Sequence, residues 1–141
     1  MKMIFSVSLL LFLAACLPVQ VDESSHITEE EVVTALQDNG VNLIEAEFKK
    51  NIFGSKLGDV KPRTYEVNEK PFFIFEFKSD NDLDKGKNEF AKKTETMDLV
   101  SASTFEKRNI LIFYVHEQDV NSISVPFIKE IQEALDNIIE G

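Results

Sequence analysis

The chain has 141 residues, 25 acidic and 15 basic side chains, and a formal net charge of −10. This acidity argues against nucleic-acid binding and against docking on anionic lipid through a basic patch, because both depend on many Lys and Arg side chains. The chain has a single Cys, so it has no internal disulfide and packing alone must hold the fold together.

The chain begins with a short positive segment followed by an apolar run. Lys2 is the only charged residue before Cys16, and most of residues 4–13 are Ile, Phe, Val or Leu. A membrane-spanning helix needs about 20 apolar residues. An apolar core of about 7–15 residues after a positive start is typical of a signal peptide. We therefore predict that residues 1–15 are a signal peptide.

The apolar run ends in Leu13-Ala14-Ala15-Cys16. These four residues resemble the lipobox of bacterial lipoproteins. The resemblance covers residues 1–16 and implies cleavage between Ala15 and Cys16, with a diacylglycerol on the thiol of Cys16. The alternatives are an ordinary secretory signal and an uncleaved membrane anchor. The lone Cys favours lipidation, because an unpaired thiol in an exported protein needs an explanation.

The mature chain is expected to be a tethered domain on the extracytoplasmic face of a membrane. Removal of residues 1–15 takes away one Lys and no acidic residue, which changes the net charge from −10 to −11. Residues 16–27 have no periodicity and are interpreted as the tether. Residues 28–141 suffice for one domain with one hydrophobic core. Which membrane of a two-membrane cell carries the tether is left open.

The domain alternates between helix and strand patterns. Thr28 and Glu31 match a capping box and predict a first helix that ends at Asn39-Gly40. A second helix is predicted from Ser79 or Asp80 to about Thr96. An amphipathic third helix is predicted to start near Pro126.

Strands are predicted between these helices, at residues 41–48, 64–67, 71–78, 98–104 and 109–115, with a polar turn at 106–108. In the third of these, Phe73, Phe75 and Phe77 are expected to face one side of the sheet, and Phe72 and Ile74 the other. The order predicts an α+β fold with a mostly antiparallel sheet of about four strands. Two or three helices are expected to cover one face, in an arrangement related to a split β-α-β unit.

Two local patterns are weighed as metal or catalytic sites. Alternating acids begin at Asp80, but Lys85 and Ala91 stand where a calcium loop needs Gly and Glu. These acids are better interpreted as helix-capping residues. His116 precedes Glu117 and Asp119, a set that suits a base or a metal ligand. The only other His is in the tether, so a turn residue at the sheet edge is preferred. We predict no metal site and no cofactor.

The Lys49–Pro62 loop is the remaining candidate, because long loops in compact domains are often functional. Its basic side chains predict docking of an acidic partner or envelope polymer. The residues assigned to this partner-binding loop are Lys49, Lys50, Phe53, Lys56 and Lys61. The alternative is a solvated loop whose Phe53 and Leu57 pack against the core.

The sequence thus predicts a non-enzymatic, lipid-anchored binding or interaction module with a membrane and an envelope protein as partners. No nucleophile motif or phosphate-binding glycine loop is found. An accessory subunit of a membrane complex is one alternative. A small envelope hydrolase that uses carboxylates or His116 is the other.

Overall fold

A Phe-rich strand lies at the centre of the structure, a computed structural model in which residues 26–117 and 125–138 are described. The helices are α1 (Glu29–Asp38), α2 (Asp80–Thr94) and α3 (Ile128–Asp136). The strands are β1 (Ile44–Glu45), β2 (Arg63–Val67), β3 (Lys70–Glu76), β4 (Ser103–Lys107) and β5 (Ile110–Tyr114). A single 3-10 turn spans Ile52–Gly54. The signal peptide, the lipobox and all but two residues of the tether lie outside the described residues.

The strands form one antiparallel sheet in the order β1-β2-β3-β5-β4. Both β3 and β4 pair with β5 in the antiparallel sense, so they run parallel to each other with β5 between them. Because α2 connects β3 to β4, the three elements form the split β-α-β unit that the sequence suggested. The fold is a single α+β domain of five strands and three helices, which confirms the predicted class and adds one strand.

The helices cover both faces of the sheet, which corrects the prediction of one covered face. Alternate residues of a strand point to opposite faces. On one face, Phe72 and Ile74 pack with residues of α1 and α3. On the other, Phe73 and Phe75 pack with α2 and with the loop after β1. Both faces are buried, so β5 is apolar at every position, as in a central strand.

The predicted start of the first helix is confirmed in detail. The Thr28 hydroxyl accepts from the Glu31 amide at 3.2 Å, and a Glu31 carboxylate oxygen accepts from the Thr28 amide at 2.7 Å. This reciprocal capping box satisfies two amides that the helix leaves unpaired. At the other end, Gly40 has a φ of 82°, which suits a residue without Cβ.

The strand predicted at 98–104 exists but its bounds are wrong, because β4 runs from Ser103 to Lys107. Its register is fixed by pairing with β5, where Phe105 faces Ile112. The apolar side chains that suggested an earlier strand are exposed, Leu99 at 40% and Val100 at 48%. The turn consequently falls at Arg108 and Asn109 rather than at 106–108. The first predicted strand, 41–48, is reduced to the two residues of β1.

Candidate functional site

The loop between β1 and β2 is held against the sheet by its own apolar residues. The Asn51 side chain accepts from the Phe53 amide at 2.9 Å and starts the 3-10 turn. Phe53 is 4% exposed, and its ring lies 5.3 Å from that of Phe113, centroid to centroid. Leu57 is also buried, and its amide and carbonyl both bond to Val60 at 3.0 Å. The loop is therefore an ordered layer over this face of the sheet.

The same loop lies unusually close to β3 at Gly54. A Cβ at this position would be 2.7 Å from a ring carbon of Phe73, closer than real Cβ contacts. The Phe48 ring also packs edge-on against Phe73, with centroids 6.5 Å apart. Because Gly54 has no Cβ, the loop backbone can lie directly on the sheet at this point. A depression remains beside the loop.

That depression is an open groove of about 840 Å³ at the ends of β1 and β2. We call it the lysine groove. Its walls come from the chain after β1, from the 3-10 turn and from the start of β2, and Phe73 contributes to its floor. Five cationic side chains line it, against Glu45 and Glu47 as the acidic ones. The cationic residues are Lys49, Lys50, Lys56, Lys61 and Arg63.

The structure thus brings together every lysine that the sequence assigned to the partner-binding loop. It does not bring Phe53 to the surface with them, because that ring belongs to the core. The alternative prediction, that Phe53 and Leu57 pack against the core, is therefore confirmed for those two side chains. The loop therefore packs against the core and also presents its lysines, because the buried Phe53 and Leu57 fix the backbone from which the lysines project.

The four lysines have no ion-pair partner in residues 26–117 and 125–138. Other lysines of this acidic chain do find carboxylates: Lys87 lies 2.7 Å from Glu106, and Lys93 lies 2.8 Å from Glu89. Arg63 also differs from the four, because its guanidinium lies 2.8 Å from Glu45 and 3.9 Å from Glu29. The lysine groove is consequently a local excess of uncompensated positive charge.

Arg63 was not identified from the sequence, nor was the network that it joins. Glu29 first, and then Tyr65 and Glu45, raise the pKa of the Arg63 guanidinium. The Tyr65 hydroxyl donates to a Glu29 carboxylate oxygen. Burial, followed by this hydrogen bond, raises the pKa of Tyr65 to about 12, so the phenol keeps its proton at neutral pH. The network joins the start of α1 to the rim of the groove.

His116 is buried at the end of β5, away from the lysine groove. Its Nε2 lies 3.0 Å from the Ser103 Oγ, and its ring packs edge-on against Tyr114 at 5.8 Å. Burial lowers the pKa of the imidazole. Its predicted neighbour Glu117 is exposed and lies 3.5 Å from Lys70, while Asp119 lies outside the described residues. His116 is therefore a buried residue that follows the interior strand β5, rather than the turn residue at the sheet edge that the sequence predicted.

The acids at the start of α2 lie in its first turn, but the residue that caps the helix is Ser79. Ser79 is the N-cap, and its hydroxyl accepts from the Asp82 amide at 3.1 Å. Asp80 pairs with Arg108 at 3.7 Å, and Asp82 with Lys85 at 4.0 Å. Within the described residues, no group of three or more His, Cys, Asp and Glu side chains is placed to hold a metal ion. Cys16 and Ala15, the lipidation and cleavage residues, lie outside that part of the chain.

Comparisons with protein-family models, with curated proteins and with solved structures found no match for this chain. The helices in the described part of the chain are all too short or too polar to cross a membrane.

Proposed function

We propose that the protein is a lipid-tethered extracytoplasmic binding module whose lysine groove takes an acidic ligand. The observation that carries this proposal is the set of four lysines without an ion-pair partner around one groove. A chain with 25 acidic residues offers many internal partners for a lysine. Four cations that remain available at one place are ready to pair with charges from another molecule.

The shape of the groove favours an extended ligand. The groove is open to solvent, and its cations are spread over the segments Lys49–Lys50, Lys56 and Lys61–Arg63. Long lysine side chains act as mobile point charges rather than as a rigid fork for one carboxylate or phosphate. A polymer or a charged surface can neutralise several of them together. The module needs no catalytic group for this role.

The lipid tether of the proposal depends on the lipobox-like residues 13–16. Two acyl chains are sufficient for stable anchoring to a membrane, whereas one gives only marginal binding. Mass spectrometry of the protein purified from membranes tests this part directly. A chain that begins at Cys16 with an acyl modification is expected. A chain that retains residues 1–15 would refute the tether.

The groove is tested with fluorescein-labelled poly-L-glutamate and the protein purified in detergent. Fluorescence anisotropy should show binding that weakens as salt is added, because exposed charges are screened. The double variant Lys49→Glu/Lys61→Glu should weaken binding roughly tenfold, equivalent to about 1.4 kcal/mol. Lys92→Glu/Lys129→Glu is the matched control, since it changes the net charge by the same amount and both lysines are exposed on helices outside the groove. An equal loss of affinity in both variants would mean that net charge alone, and not the groove, causes the effect.

One observation supports a second candidate, an accessory subunit of a membrane complex. Met97, Leu99 and Val100 follow α2 and expose 46%, 40% and 48% of their surface. Adjacent exposed apolar side chains are typical of contact surfaces between proteins. Leu99→Glu should then release the chain from one defined membrane complex on native gels, while Lys92→Glu should not. If the migration of Leu99→Glu is unchanged, the second candidate is refuted and acidic-ligand binding is the sole remaining proposal.

A further inference from the structure

The lysine groove and the start of the domain share one end of the sheet. At this end β2 begins, β3 finishes and β5 begins, because Arg63 pairs with Ile74 and Glu76 pairs with Ile110. We call it the tether end. The opposite end carries the turn at Asn68 and Glu69 and the end of β5.

The chain that leads back to Cys16 leaves the fold at the tether end. The Ile27 amide donates to Asn109 Oδ1 at 2.9 Å, and the Ile27 carbonyl accepts from Asn109 Nδ2 at 2.8 Å. Asn109 Nδ2 also donates to the Phe77 carbonyl at 2.9 Å, directly after β3. The Glu29 amide donates to the Glu76 carboxylate at 2.6 Å. Residues 27–29 are thus fixed to the last residues of β3 and to the β4–β5 turn.

Arg63 connects this attachment to the groove. Its side chain lines the groove and lies 3.9 Å from the Glu29 carboxylate. Lys61 and Pro62 precede it on the same wall. Glu29, in the attached segment, and the rim of the groove are therefore separated by little more than the side chain of Arg63.

We propose that the lysine groove faces the membrane that carries the tether, and that its ligand there is the anionic phospholipid surface. This inference rests on the proposed function, because it assigns a partner to the same groove. Nine residues separate Cys16 from His26, and a chain of about ten residues reaches at most about 35 Å. A lipid on Cys16 therefore allows the tether end to reach the head groups and limits how far it can move from them. A lipid anchor combined with a cluster of cations is a recognised pair of membrane-binding signals.

The net negative charge of the chain disfavours an anionic membrane as a partner. The local excess of positive charge at the groove favours it. Electrostatic interactions across water decay over about 10 Å at 0.1 M salt. The charges nearest to the bilayer therefore dominate, and in the groove these are mainly cationic. The opposite end of the sheet carries Glu69 and the ion pair of Glu117 with Lys70, so among the described residues it has no comparable excess of positive charge. Attraction between the cations of the groove and the lipid phosphates consequently orients the domain.

The test measures orientation in vesicles of phosphatidylcholine with or without phosphatidylglycerol. The acylated protein is purified from membranes and reconstituted, after mass spectrometry has established the lipid on Cys16. Because this is the only Cys, an introduced thiol is the single labelling site. A fluorophore is placed at Ser55→Cys in the groove or at Asp98→Cys, beyond α2. Its quenching by a lipid with a head-group quencher reports distance from the membrane surface.

We expect quenching at position 55 to exceed that at position 98 severalfold in vesicles that contain phosphatidylglycerol. High salt and Lys49→Glu/Lys61→Glu should remove the difference, and Lys92→Glu/Lys129→Glu, with the same change in net charge, should retain it. Equal quenching at both positions in these vesicles would overturn the inference, as would an unmodified Cys16. If polyglutamate still binds while quenching is equal, the groove serves a soluble acidic partner and only the present inference fails. If polyglutamate binding is absent, the proposed function itself fails.

Discussion

The two faces of the sheet are covered by different means. On the face of α1 and α3, helices contribute buried aliphatic stripes such as Val32 with Leu36 and Ile131 with Leu135. On the other face, α2 has only Leu83 and Gly86 fully buried, and a loop completes the cover. Phe side chains supply most of the volume there. The residues are Phe53, Phe73, Phe75, Phe77 and Phe113.

This difference shows that a mostly polar helix and a loop can cover a sheet when large rings fill the space beneath them. Aromatic side chains bury much area each and form edge-on contacts with one another. Phe113 makes such contacts with Phe53 and Phe75, at 5.3 and 5.7 Å. The face covered by the loop is also the face that carries the lysine groove. A loop positioned by a rigid scaffold is the usual location for binding residues.

The largest effect is expected from removal of the central ring of the Phe-rich face. Phe113→Ala should lower the free energy of unfolding by about 3–5 kcal/mol, since its ring also packs on Phe90 at 4.6 Å. Hydrogen exchange should accelerate in the Lys49–Pro62 loop. Leu135→Ala, on the other face, should cost about 2–5 kcal/mol without that local acceleration. Urea titration and exchange measurements compare them, and equal exchange in both variants would mean that the faces do not differ.

The next effect concerns Asn109, which connects the two faces at the tether end. Asn109→Ala should cost about 1–3 kcal/mol, because the buried Ile27 and Phe77 backbone groups lose their partners. Asn39→Ala is the matched control, since its side chain donates one hydrogen bond, to Ala35, at a partly exposed site. Thermal unfolding should place the control near the native protein. Similar losses in both would show that the Ile27 attachment contributes little.

A smaller effect is expected where α2 approaches the sheet. A Cβ at Gly86 would lie 2.6 Å from a ring carbon of the buried Phe77. Overpacking of this kind costs about 1–3 kcal/mol, and the better helix propensity of Ala returns about 1 kcal/mol. Gly86→Ala should therefore be mildly destabilising in urea. In a Phe77→Leu background the same substitution should become neutral or stabilising, and a persistent loss there would rule out the ring contact as its cause.

The smallest effect is a pH dependence from His116, at the end of the sheet opposite the tether. Its pKa is lowered in the folded state by burial, so the unfolded chain binds the proton more readily. Stability is unaffected by this group above its unfolded pKa of about 6.5 and falls as the pH decreases below that value. His116→Gln should have a shallower decrease in melting temperature between neutral and mildly acidic pH. A parallel decrease in both proteins would exclude the histidine as a contributor.

Local patterns in the sequence were sufficient to predict the elements that local interactions determine. The Thr28 capping box, the alternating Phe residues of β3 and the amphipathic α3 depend on neighbours along the chain. The start of β4 depended instead on its pairing with β5, so the exposed Leu99 and Val100 were misleading. The lysines of the groove were recognisable as a cluster in an acidic chain. Arg63 and Glu45 were not recognisable as parts of the groove, because only the pairing of β1 with β2 brings them to the same rim.

The attachment of Ile27 to Asn109 also determines how the domain receives mechanical tension. A pull on the chain before residue 26 reaches the fold at the hydrogen bonds of Ile27, before it reaches α1. Asn109 transmits that pull to the Phe77 carbonyl and to β5, near the middle of the sheet. The force therefore enters through the buried interior strands β3 and β5 rather than through an outer helix.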